Sequence, residues 1–170
     1  GKVVIKPVYR MAGEFSEGLA RVEVEGPDPE YGLLGYVDKA GRVVIKPRFK
    51  NVRMKMPNWG KFSEGLAPVE VGKMGFIDRN GKMVIKPKFD WALSFENGVA
   101  GVEINKKYGA IDKSGRVIVP LIYEKSLSFS EGVSQVTLNG KYFFIDKSGK
   151  KVIQPPNDYG YDSFTFGFSE

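Results

Sequence analysis

The chain has 170 residues, 42% of them hydrophobic and 13% aromatic, which is enough apolar material for a packed domain. It holds no cysteine and no histidine, so disulfides, thiol nucleophiles, zinc fingers, histidine-ligated metal sites and Ser-His-Asp triads are all excluded within it. The 26 basic and 20 acidic side chains leave a net charge of +6, which draws anionic partners only where the charges gather on one surface.

The first predicted element is the apolar run Val3-Val4-Ile5, opened by Gly1 and followed by Pro7. A β-branched run of this length reads as a short strand, and the proline is expected to end it. After Tyr9 comes an irregular stretch and then Phe15-Ser16-Glu17-Gly18, in which the glycine supplies a positive φ and the phenylalanine anchors the loop in the core. Ala20, Val22 and Val24 then alternate with Arg21 and Glu23, the pattern of a half-buried strand. A hairpin lengthened around Gly26-Pro27-Asp28-Pro29-Glu30-Tyr31 leads to a returning strand, Gly35-Tyr36-Val37-Asp38. Asp38-Lys39-Ala40-Gly41 closes the unit as a type I turn, with Asp at its first position and Gly at its fourth.

The same order of elements recurs behind Gly41, Gly81, Gly115 and Gly149. The apolar runs return at Val43-Val44-Ile45, Met83-Val84-Ile85, Val117-Ile118-Val119 and Val152-Ile153, with Pro47, Pro87, Pro120 and Pro155 after them. Phe62, Phe95 and Phe129 head the later copies of the glycine turn, whose glycines are Gly65, Gly98 and Gly132, and the chain stops inside a fifth at Phe168-Ser169-Glu170. Pro68 falls inside the second alternating strand and therefore predicts a sheet edge or a strand end. Asn139-Gly140 is the strongest of the hairpin signals. In its most regular form the repeat is 34 residues long.

The expected fold is all-β: tandem three-stranded meanders that cannot bury both faces alone and so share a core by stacking. An open, solenoid-like stack is preferred to a closed propeller-like ring, because 34 residues is short for a four-stranded blade. Residues 1–170 read as a single array, with units beginning near Gly1, Gly41, Gly81, Gly115 and Gly149, excerpted from a longer protein because Gly1 falls in mid-pattern.

The conjunction of these elements resembles the WG repeat, a bacterial module, over essentially the whole chain; the stretch from Gly75-Phe76-Ile77-Asp78 through Phe89-Asp90 to Phe95 is the nearest. The tryptophan that names the family is replaced by Leu34, Met74, Tyr108 and Tyr142, and the glycine after it by Phe143 in the last copy. The resemblance implies an interaction or ligand-presenting array without a common catalytic activity.

The recurring polar residues have structural readings. Asp38, Asp78, Asp112 and Asp146 all initiate turns, and the carboxylates Glu17, Glu64 and Glu131 give way to Asn97 in the third copy, against a repeated catalytic role. A glycosidase pair between nonequivalent carboxylates has no positive signal in the sequence. No enzyme activity, cofactor or metal site is therefore expected. The basic residues following the framing glycines and the turn aspartates could align into an edge, yet Glu23, Glu70 and Glu103 recur too, which argues for a solvated face and against nucleic acid.

Insertions carry the remaining signal, since in repeat arrays they become loops on one face. The stretch from Lys50 to Lys61 brings Arg53, Lys55 and Trp59, residue types suited to a protein or peptide contact, and the last spacing adds Tyr159 and Tyr161. These five are the candidate binding residues of a noncatalytic scaffold, whose partner is a protein or peptide, other domains of the same polypeptide included. The alternative is a glycan- or cell-wall-binding array in which Trp59, Tyr159 and Tyr161 stack on sugars. No run is long and apolar enough to span a membrane, and the absence of cysteine leaves the compartment open.

Overall fold

A computed structural model of the chain describes residues 8–28, 31–51 and 59–153. Fourteen strands follow one another without a helix among the described residues. The first unit contains β1 (Met11–Ser16), β2 (Leu19–Asp28), β3 (Tyr31–Asp38) and β4 (Val43–Asn51), hydrogen-bonded in that order. The second is a three-stranded sheet of β5 (Leu66–Val71), β6 (Lys73–Asp78) and β7 (Met83–Phe89). The third runs β8 (Trp91–Ala92), β9 (Val99–Ile104), β10 (Lys107–Asp112), β11 (Val117–Tyr123), and the fourth β12 (Val133–Leu138), β13 (Lys141–Asp146), β14 (Lys151–Ile153). Every pairing is antiparallel, and none of the sheets closes into a barrel. The tandem all-β meander expected from the sequence is thus the fold, with the last strand of each meander lying beyond a framing glycine.

The phenylalanine-headed turns explain why their sequence is so regular. Glu17 and Gly18 both have positive φ, at 51° and 84°, and the flanking Ser16 and Leu19 pair across them. Two successive left-handed residues make a type I′ turn, whose twist matches the strands it joins. The glutamate position is left-handed in each described copy, a feature the glycine signal alone did not disclose: Glu64, Asn97 and Glu131 have φ of 55°, 51° and 50°.

Two expectations about the strands are corrected. Three of the five prolines do not end them: β4 and β7 run through Pro47 and Pro87, and β11 through Pro120, while Pro7 and Pro155 lie outside the described residues. Leu34 pairs with Phe49 and Tyr36 with Ile45, so Lys46, Pro47 and Arg48 oppose the single residue Gly35. The same bulge sets residues 86–88 against Gly75 and 120–122 against Gly109. A bulge leaves residues outside the ladder, where the missing proline N–H costs no hydrogen bond. It also accounts for the glycine: a Cβ on Gly35 would lie 2.6 Å from the Ile45 carbonyl oxygen, and one on Gly109 2.5 Å from that of Val119. The stretch before the turn is likewise not irregular throughout, since β1 and β8 pair with the strands that follow them.

The strands after the turns are also more deeply buried than alternation predicts. Leu19 to Glu23 are buried without a break, Arg21 and Glu23 included, and Pro68 is buried on β5, which is a sheet edge as expected. The second face is covered by the next unit. At Gly101 a Cβ would lie 2.4 Å from the Leu127 carbonyl, in the segment leading to the fourth turn. Gln135, at the corresponding place in the last described unit, is exposed.

The core runs through the array as two large clusters. One joins Leu34 and Tyr36 to Phe62, Met74, Phe76, Phe95 and Ile111, and the other joins Ala110 and Val119 to Phe129, Val136 and Ile145. Phe62, Phe95 and Phe129 are the expected core anchors. Phe15 is not: it remains 43% exposed, because each of the other three packs on the unit before its own and no described unit lies before Phe15.

Candidate functional site

The recurring acidic groups are taken up by the repeat's own backbone. Asp38 Oδ1 accepts the N–H groups of Ala40 and Arg42, both at 2.9 Å, and Asp78, Asp112 and Asp146 repeat this arrangement. The Ser114 hydroxyl, donating at 2.6 Å, leads the interactions that hold the Asp112 carboxyl down at about 2. Asp38 lies below the usual carboxylate range chiefly through the Arg42 N–H, and Asp146 chiefly through the Ser148 hydroxyl. Hydrogen bonds to an ionised carboxylate favour the charged form, the opposite of what a general acid needs.

The serine and glutamate of the glycine turn join one unit to the next. Ser16 Oγ donates to the Phe62 carbonyl at 2.6 Å, and Ser63 Oγ to that of Phe95 at 2.6 Å. The Glu17 carboxylate accepts the Gly65 N–H at 3.0 Å, and Glu64 accepts that of Gly98 at 3.0 Å. Cationic groups staple the opposite part of the unit: Arg48 donates to the Gly81 carbonyl and Lys88 to that of Gly115.

What the repeat leaves over lies at the foot of the Lys50–Lys61 insertion. Arg53, Lys55, Tyr159 and Tyr161 lie outside the described residues. Trp59 is only 6% exposed and belongs to the core cluster with Leu34 and Phe62, so the sequence expectation that it stands free on a loop is corrected. Its carbonyl accepts a 2.5 Å hydrogen bond from Arg21 Nη1, and the Gly60 carbonyl accepts one of 2.5 Å from the Tyr36 hydroxyl. Burial, against a smaller opposing effect of Arg21, raises the Tyr36 hydroxyl well above the ordinary phenol range. The insertion is thereby pinned to the first unit at its end. A cavity of about 80 Å³ opens beside it, lined by Glu14, Phe15, Arg21, Trp59 and Lys61 among others.

A second polar cluster was missed by sequence reasoning. Glu23, 1% exposed, accepts a hydrogen bond from Asn51 Nδ2, and Arg10 approaches its other oxygen at 3.9 Å. Gly32 packs directly against it: a Cβ there would overlap the Glu23 side chain as it is placed. Other units place Glu70, Glu103 and Thr137 at that position, so only a comparison of burial between units could have singled out Glu23. Among the described residues no group of three or more acidic, histidine or cysteine residues could hold a metal ion.

The family model described as WG containing repeat matches residues 1–26, 35–73, 74–108 and 108–142. No curated protein and no solved structure matches the chain. Three of the four positions of the replaced tryptophan are packing positions, with Leu34 and Met74 in the core and Tyr108 packed against it. At the glycine position the bulge geometry explains why a side chain is excluded in three of the four units.

Proposed function

From the premise that the chain belongs to the WG containing repeat family, a tandem repeat scaffold, we propose that it is a noncatalytic module that binds a protein or peptide through its insertions. One observation carries this reading: the four turn aspartates, and the serine and glutamate of the first two glycine turns, are engaged in turns and in junctions between units, which leaves the unrepeated segments to provide specificity. The Lys50–Lys61 insertion, which carries Arg53 and Lys55, is tied to the first unit at Trp59 and Gly60. The alternative of sugar stacking draws less support, because a ring as buried as Trp59 offers no face to a saccharide.

The test is a pull-down with the chain and its Arg53→Ala/Lys55→Ala variant, run beside a cell-wall polysaccharide fraction. A discrete protein captured by the parent and lost by the variant, with melting unchanged, is the expected result. Equal capture by both, or salt-resistant retention on the polysaccharide, would overturn the reading.

A further inference from the structure

Three strands of the third unit set one row of side chains across their sheet. Trp91 of β8 stands opposite Glu103 of β9, and Glu103 stands opposite Tyr108 of β10. Residues directly opposite in an antiparallel pair share a face, with Cβ atoms about 4.5–5.5 Å apart. That face is turned to the fourth unit: Tyr108 packs against the cluster that holds Leu127 and Phe129, whereas Ala92 and Val102, one position along, belong to the other cluster. Trp91, Glu103 and Tyr108 are all half-buried.

The corresponding rows of the first and fourth units are served from inside the chain. The Glu124 N–H donates to the Thr137 carbonyl as the Asp90 N–H does to that of Glu103, so Lys125 occupies the place of Trp91. Its ammonium lies 5.2 Å from the ring centroid of Tyr142, which stands opposite Thr137. In the first unit the Glu23 carboxylate takes a hydrogen bond from Asn51. The tyrosine of the row thus accepts a cation, and the glutamate accepts a donor. The third unit joins a tyrosine, a glutamate and an indole in one row, and no described side chain donates to the Glu103 carboxylate or forms an ion pair with it.

We propose that Trp91, Glu103 and Tyr108 form a receiving site for a cationic side chain, a lysine or arginine of a protein or peptide partner. Charge complementarity selects the occupant. A half-buried carboxylate without a counter-charge favours a cation, and the two rings beside it present the negative faces to which ammonium and guanidinium groups are drawn. A saccharide would use the rings and leave the charge without a counterpart. The packing of the repeat does not dictate this set, since the same row reads Met11, Glu23 and Leu34 in the first unit. The site deepens the protein-binding reading by giving the chemistry of the partner, yet it uses residues outside the insertion. Arg53→Ala/Lys55→Ala leaves the row intact, so the two readings fail separately.

The test is an NMR titration of the chain with a capped pentapeptide of four glycines around one lysine, and with its uncharged norleucine counterpart. The indole N–H signal of Trp91, identified by its loss in Trp91→Phe, should shift with the lysine peptide and saturate in the range of about 1 mM, and should not move with norleucine. Glu103→Gln, of the same shape, should weaken binding about tenfold or more with unchanged melting. Trp91→Ala, followed at the Glu103 amide, should weaken it about threefold or more. Glu70→Gln, at the equivalent position of the second unit, should bind like the parent. Equal shifts with lysine and norleucine, full affinity in Glu103→Gln, or equal loss in Glu70→Gln would overturn the site. Tetramethylammonium binding as tightly as the lysine peptide would overturn the peptide occupant.

Discussion

Phe95 and Phe15 occupy the same place in the repeat and should behave differently. Phe95→Ala removes a fully buried ring that packs on Phe76 and should cost roughly 3–5 kcal/mol in a urea titration. Phe15→Ala, at a ring that is 43% exposed, should cost about 1 kcal/mol or less. Trp59→Ala belongs with the first of these, since the indole lies in the core, and its melting temperature should fall. The turn aspartates give the pH dependence its sign. Asp38, Asp112 and Asp146 have folded-state values below their ordinary 3.8, so their contribution is present above that value and is lost as the pH falls through the folded values, near 2 for Asp112. Thermal melts should therefore decline between about pH 4 and pH 2. At the alkaline end Tyr36 acts in reverse: its raised value means that stability holds below pH 10.0 and decreases above it.

At the scale of the strand, the bulge opposite Gly35, Gly75 and Gly109 is the element most open to test. Gly75→Ala places a Cβ 2.6 Å from the Ile85 carbonyl and 2.9 Å from Pro87 N, both backbone atoms, and should destabilise by about 1–3 kcal/mol, read as a shift of the urea midpoint. The turns and returning strands were legible in the sequence because their signals are local: asparagine or aspartate with glycine at fixed offsets, between apolar runs. The bulge was not legible, because it depends on which residue of one strand faces which residue of another; the proline alone resembled a stop signal. Nor was the burial of Arg21 and Glu23, whose alternation with Ala20 and Val22 reads as an exposed face until the next unit is laid over it. The family tryptophan positions needed only apolar bulk, which Leu34 and Met74 supply. Trp59 misled for a related reason: an insertion suggests exposure, yet the end of this one returns to the core.

For the whole molecule, each unit depends on its neighbours, so protection should be graded along the array. Amides of β6, flanked by units on both sides, should exchange with deuterium more slowly than those of β13 in the last described unit. An equal rate in the two strands would show that the array unfolds as one block. Glu17 brings out a consequence of the junctions between units. A glutamate in the left-handed region costs about 1 kcal/mol or more, and its carboxylate meets the N–H of Gly65, a residue 48 positions later in the chain. While the protein is being made, that residue leaves the ribosome roughly 2–10 s after Glu17, at about 5–20 residues per second. Throughout that interval the turn bears its strain without the compensating bond. Folding behind the ribosome should then advance in steps of one unit over the first turns, Gly65 and then Gly98 securing the turn synthesised before each.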